Sequence, residues 1–259
     1  MTIPKQSTLE EINESERQLV VEAEARYGKY YQHALACSVF LSGCIVSVEH
    51  DRLMFARFFN LMKKHHMLAL LSTVRLHKVQ SMMNLRQALE AGAAAAFAIA
   101  NPELEHFAEI DEAGILDPSQ ELTVKRYKWL EEHFPAGSGA IKAKKQLINN
   151  MGAHANIVTT DQTFRVSEAG DMIDAPFFDI EDEYHVKADL WLASSIAIEL
   201  MGLLYGVNRD RKVIGFTPDF LTHMDGALKS NIELHSEMTS TERYKKAMEK
   251  MQTPRPTSS

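Results

Sequence analysis

Apolar residues recur at helical spacing through almost the whole of this 259-residue chain, and one stretch alternates instead. A 3.6-residue period lines apolar side chains along one stripe, so such a chain must bury helix faces against one another. With 45% hydrophobic and 24% charged residues, composition places the chain among globular rather than fibrous or disordered proteins. The pattern predicts a mainly α fold, a multi-helix bundle with one small β-hairpin inserted before the penultimate long helix. Residues 1–251 are read as a single helical domain with its bundle core at about 52–208 and its hairpin at about 163–178, followed by a disordered tail over 252–259.

A first helical region runs from Thr8 to His50, capped by Ser7 or Thr8, with Gly28 and Gly43 as points of division. Glu10 and Glu11 suit the positive end of its dipole. A second runs from Arg52 to Ala100, divisible at Asn60 or Ser72, and stops where Asn101-Pro102 drives the backbone out of the helical region. Asp117-Pro118-Ser119 opens a helix to Phe134, and Pro135–Gly139 separates it from one reaching His154. Phe164 and Val166 then alternate with Thr163, Arg165 and Ser167, and Ala169-Gly170-Asp171 offers a turn before Met172–Phe178. Helix resumes from Asp182 to Asn208, and Thr217-Pro218 starts a last helix to Met251.

Met1–Glu16 lacks the basic start and apolar stretch of a secretory signal. Among the apolar runs Ala34–Val48, Leu89–Ala100 and Leu190–Val207, the third, at 18 residues, is long enough to span roughly 30 Å of hydrocarbon. Glu199 falls in its middle, where an acid costs about 2.5–3.5 kcal/mol. A cytoplasmic protein without a membrane partner is expected. Cys37 and Cys44, seven apart on one helix, lie about 10.5 Å apart along its axis and read as buried free thiols.

The net charge of −7 disfavours general nucleic-acid binding, yet its distribution is uneven. Between Arg52 and Leu89 there is no Asp or Glu, against seven basic residues: Arg52, Arg57, Lys63, Lys64, Arg75, Lys78 and Arg86. Asp161–Glu183 carries eight acids against one Arg165. The basic segment either faces a polyanion such as RNA, with Lys63, Lys64, Arg75 and Lys78 as the contacts, or pairs with the acidic segment of the same chain or of a second subunit. Lys142, Lys144 and Lys145 form a second basic cluster.

Three helix faces carry polar groups among apolar neighbours. Val79, Met83, Arg86, Glu90, Ala93 and Phe97 share one stripe, which puts Arg86 and Glu90 in pairing range. Leu147, Asn150 and His154 share another, with His154 near a helix C-terminus where the dipole favours the imidazolium. The third holds Ala188, Leu192, Ser195, Glu199, Gly202 and Gly206, small residues that let helices close in on the run Gly92–Ala96 and that would bury Glu199 against Arg86 or His154. Folded together these faces bring Arg86, Glu90, Asn150, His154 and Glu199 into one constellation. Such a set suits phosphodiester chemistry, with histidine as general acid or base and arginine balancing the charge that develops on phosphorus. It equally suits an inert polar network in a non-catalytic, dimeric binding or structural protein.

Arg86-Gln87-Ala88-Leu89-Glu90, then Asn150-Met151-Gly152-Ala153-His154, then a hairpin and a long helix, resembles uncharacterised bacterial helical families related to the HEPN class, over about Arg52 to Asn208. The resemblance implies a helical bundle, a homodimer, and metal-independent endoribonuclease activity or RNA binding of the toxin or phage-defence type. The signature of that class is Arg, then four to six residues, then His. His154 has no Arg five to seven positions ahead of it, and the formal matches are Arg26 with His33 and Arg126 with His133.

No cofactor or metal is called for. Glu103-x-x-His106 and Asp182-x-x-His185 have the spacing of di-iron ligands, but both acids open helices, where they serve as caps. His65 and His66 diverge by about 100° on a helix and do not chelate one ion together. Phosphate-loop, dinucleotide, zinc-protease and nucleophile-elbow motifs do not occur in the sequence.

Overall fold

The computed structural model describes residues 7–110, 112–151, 165–166, 173–174 and 177–246. Among these lie eight α-helices of fourteen residues or more: α1 (Leu9–Tyr27), α2 (Lys29–Gly43), α3 (Leu53–Val74), α4 (Lys78–Ala100), α5 (Gln120–His133), α6 (Pro135–Met151), α7 (Glu183–Asn208) and α8 (Phe220–Ser240). Three two-stranded antiparallel ladders join them: β1 (Ile45–Val48) with β6 (Ile214–Phe216), β2 (Glu109–Ile110) with β3 (Leu116–Asp117), and β4 (Arg165–Val166) with β5 (Ile173–Asp174). The fold is a mainly α multi-helix bundle with the small hairpin β4–β5 ahead of the penultimate helix. The expected last helix to Met251 is interrupted: α8 ends at Ser240, where Thr241 turns extended (φ −66°, ψ 145°), and helical backbone resumes over 242–246. The remaining hairpin positions, residues 247–251 and the tail over 252–259 lie outside the described residues.

Local chemistry fixes most boundaries. Thr8 and Glu11 form a reciprocal capping box, in which each side chain accepts the other's backbone N–H at the start of α1. Gly28, at φ +51°, divides α1 from α2. Asn60 lies inside α3, and the chain turns just beyond Ser72, where Leu76 takes φ +60°. Pro135 starts α6 instead of separating it from α5, because a proline at a first helical position gives up an N–H that has no partner there anyway. The expected helix through His50 ends at Gly43. Its β-branched continuation, Ile45–Val48, pairs with Ile214–Phe216, so a partner far along the chain overrides the local helical period. That contact also moves the start of the last helix to Phe220, whose N–H bonds to the Thr217 carbonyl.

Helix α7 runs through the centre, packed by α2, α3, α4, α6 and α8. It is long and apolar enough to cross a membrane, and 72% of its most apolar stretch is buried against the other helices. Ala91–Ile99 of α4 is buried throughout. A Cβ on Gly92 would stand 2.4 Å from Leu200 Cδ2 and 3.1 Å from Met62 Sδ, so this glycine sets how closely α4 approaches α7 and α3. The buried His66 ring joins three helices: Nε2–H donates to the Ala193 carbonyl at 2.9 Å and Nδ1 lies 3.2 Å from Ser38 Oγ. Burial lowers the pKa of that ring, with the Ala193 carbonyl opposing. At the far end of α7, buried Asn208 accepts the N–H groups of Val213 and Ile214 at 3.0 Å each and donates to the Ile214 carbonyl at 2.8 Å, which fixes the turn into β6.

Candidate functional site

Arg86 and Glu90 meet as their spacing predicts, with Arg86 Nε 3.3 Å from Glu90 Oε1. Facing them, α6 presents two residues that are also four apart. Arg86 donates to Asn149 Oδ1 at 2.7 Å, and Lys145 Nζ lies 3.0 Å from Glu90 Oε1. Residue numbers rise along α4 as they fall along α6, so the two antiparallel helices are joined by a two-rung polar ladder. Lys145 also donates to the Tyr127 hydroxyl on α5 at 3.2 Å and sits 4.7 Å from the centre of that ring. Burial lowers the Lys145 pKa, but Tyr127 and Glu90 together outweigh it and leave the value raised. Lys145 is therefore a fixed positive charge rather than a base.

One residue round the helix from Lys145, α6 meets α7. Lys144 Nζ donates to Ser195 Oγ at 3.0 Å and lies 3.4 Å from Glu199 Oε1, with the Trp191 ring 5.3 Å away. A serine beside a lysine has the outline of a nucleophile and base, but this lysine is engaged in an ion pair with Glu199. Among the described residues the ion-pair partner of Glu199 is Lys144 rather than Arg86, and the expected pairing with His154 lies outside them. Glu199 also stands at the edge of the close helix crossing, which is made one residue round by Leu200 against Gly92.

Tyr127 and Lys145 join two lobes of a cleft between α4, α5 and α6. One lobe, about 240 Å³, has a floor of Phe58, Ala94 and Leu130 and polar walls of Glu90, Thr123 and Arg126. The other, about 360 Å³, is bordered by Glu131, Lys142 and Asn149. Arg126 donates to the His106 carbonyl at 3.2 Å and to Thr123 Oγ1 at 2.9 Å, and makes no ion pair among the described residues. Lys142 likewise makes none and is exposed. With Lys145, the cleft sets three cations against Glu90 and Glu131, and Arg86 stands behind it, bonded to Asn149 and Glu90. Such a set of donors has the chemistry to receive an anion by charge and hydrogen bonding, and Tyr127, with Lys145 over its ring, borders both lobes.

The other expected residues are scattered. His154 lies outside the described residues. Asn150 is exposed, and Asn149 beside it makes the contact to Arg86. Lys63 and Lys64 lie mid-way along α3, with Lys63 Nζ 4.8 Å from the Phe59 ring centre. Arg75 and His77 pair with Glu16 at 3.7 and 2.9 Å, and the Lys78 backbone N–H donates to Asp179 Oδ2 at 2.5 Å. Acids of 179–183 bond to other parts of the chain: Glu181 to Arg26 and Tyr27, and Asp182 to Arg243. Arg126 reaches into the cleft while His133 stacks on Trp129 with centres 4.5 Å apart. Arg26 and His33 fall on different helices, α1 and α2. Glu103 and His106 pair with each other at 3.4 Å, and Asp182 caps α7. No three His, Cys, Asp or Glu side chains converge as metal ligands among the described residues. Burial pushes the thiols of Cys37 and Cys44 up to about 12 and about 11, so neither is a thiolate at neutral pH.

Sequence reasoning missed Asn149, Tyr127 and the separate roles of Lys144 and Lys145. The signal was present: Ile141 and Ile148 are the buried residues of α6, and Lys144 and Lys145 fall between them on that face. No protein-family model, no curated protein and no solved structure matches this chain.

Proposed function

We propose that this protein binds RNA through the cleft between α4, α5 and α6, as an RNA-directed helical bundle of HEPN-like type. The excess of cations in that cleft, lodged beside Tyr127, carries the reading: a phosphodiester would sit against Arg126, Lys142 and Lys145 while a base stacks on the ring. Binding of a short single-stranded RNA should weaken steeply with salt, and Lys142→Ala should lower the slope of log K against log salt by about 1. Salt-insensitive affinity, or an unchanged slope in the variant, contradicts the assignment. Metal-independent cleavage is the catalytic extension. It gives Arg86 and Lys145 the charge on phosphorus and His154 the proton transfers, and it predicts EDTA-resistant cleavage of cellular RNA that Ala in place of His154 abolishes.

A second reading, an internal polar network in a non-catalytic dimeric protein, is favoured by the partners that Arg86, Glu90, Lys144, Lys145 and Glu199 already find within the chain. It predicts that the same substitutions change stability and leave RNA affinity untouched. The homodimer belongs to both readings. Its support is the exposed apolar side chains Leu35 and Val39 on α2 and Leu221, Leu228 and Ile232 on α8, and light scattering should return twice 29.2 kDa.

A further inference from the structure

A second cavity, of about 220 Å³, lies where the turn from α3 to α4 and the segment Asp179–Asp182 meet the first turns of α7. Leu76, Ile180 and Val186 give it apolar walls, and Thr73 and Lys78 line it as well, the lysine acting on Asp189 through space without an ion pair. Asp189 lines it, is 5% exposed, and leaves Oδ1 without a hydrogen-bond partner. The other acids there are engaged: Asp179 Oδ2 accepts the Lys78 backbone N–H, and Asp182 holds Arg243 and caps α7. A buried carboxylate oxygen facing open volume is costly unless a donor reaches it. We infer that this cavity binds a small organic cation, an amine or amidine on a ring-sized apolar body, whose N–H groups bond to the Asp189 carboxylate. The volume fits, since a cavity of about 150 Å³ already holds benzene. The donor is organic because no three ligating side chains converge here among the described residues.

Burial raises the Asp189 carboxyl to about 6, Lys78 opposes and Asp179 adds to the rise. His185, whose pKa is lowered by burial and then by Lys78, is the remaining titratable group on the cavity, and its protonation on acidification opposes a cation as well. Affinity for a cation therefore weakens as the pH is lowered.

Benzamidine is the probe, titrated calorimetrically into the full chain, with benzoate as the matched anion. Binding at pH 7.5 should weaken about tenfold at pH 5, as the ionised fraction of Asp189 drops. Asp189→Asn should lose it at pH 7.5, and benzoate should not bind. In the unaltered protein, the carboxyl-carbon titration of Asp189 should move to lower pH when benzamidine is added, a readout that does not depend on the variant folding. Absence of binding at millimolar benzamidine, equal binding of benzoate, retention of affinity by Asp189→Asn, or an unmoved Asp189 titration would each overturn the assignment. This site shares no residue with the RNA cleft, so either can fail alone.

Discussion

Ten residues apart on the same helix, Glu199 and Asp189 are two acids that a bundle core should not favour, and the fold treats them differently. Glu199 faces α6, where Lys144 stands 3.4 Å from its Oε1 and Ser195 adds a hydroxyl. Asp189 faces a cavity, feels Lys78 only through space, and keeps its proton to about pH 6. The difference lies in the cation: Glu199 has Lys144 at ion-pair distance on one oxygen although its Oε2, like Asp189 Oδ1, is buried without a hydrogen-bond partner, whereas Asp189 has no ion pair among the described residues. The Asp189 cavity is open at its centre and offers the acid itself.

The sharpest way to break that comparison is the pH dependence of stability. The Asp189 carboxyl ionises near 3.8 when unfolded and near 6 when folded, so between these values the folded state holds the extra proton. Its contribution to stability therefore falls as pH rises through this window, by on the order of 3 kcal/mol in all. Asp189→Asn removes the titration, so denaturant melts should show the variant gaining on the parent by about that much between pH 4 and pH 7. Parallel curves would mean that Asp189 is already satisfied.

Lys144→Met tests the ion pair on Glu199. It strips the cation from a half-buried Glu199 and should cost about 2 kcal/mol, discounted from a fully buried pair because both side chains keep some solvent. Adding Glu199→Leu should recover most of that loss, and a purely additive cycle would deny the coupling. A smaller effect, about 1 kcal/mol, is expected for Arg86→Ala in urea melts, since Asn149 and Glu90 each lose one partner but keep access to water.

Much of the bundle was legible in the sequence because helical period, capping residues and Pro/Gly punctuation act locally. Thr8 with Glu11, Gly28 and the stop before Pro102 are of that kind. Ile45–Val48 escaped because its partner lies more than 160 residues away, and no local rule registers such a pairing. Within the site, Arg86 and Glu90 were readable from their spacing alone. Their partners on α6 were not, because the phase of that helix was taken from His154, which selected Leu147 and Asn150, both exposed. A phase taken from Ile141 and Ile148 would have selected Lys144 and Lys145. Asp189 carried a legible signal of its own: it lies three residues after Val186 and four before Ala193, on a stripe that is otherwise apolar.

The most direct test of the central claim is to photo-crosslink a 4-thiouridine-substituted single-stranded RNA to the protein and map the linked peptides. The RNA-cleft account predicts links on α5 and α6 at Tyr127 and its neighbours, lost when Lys142 and Lys145 are both replaced by Ala. Links confined to Lys63 and Lys64 on the outer part of α3, or links that survive those replacements, would contradict it.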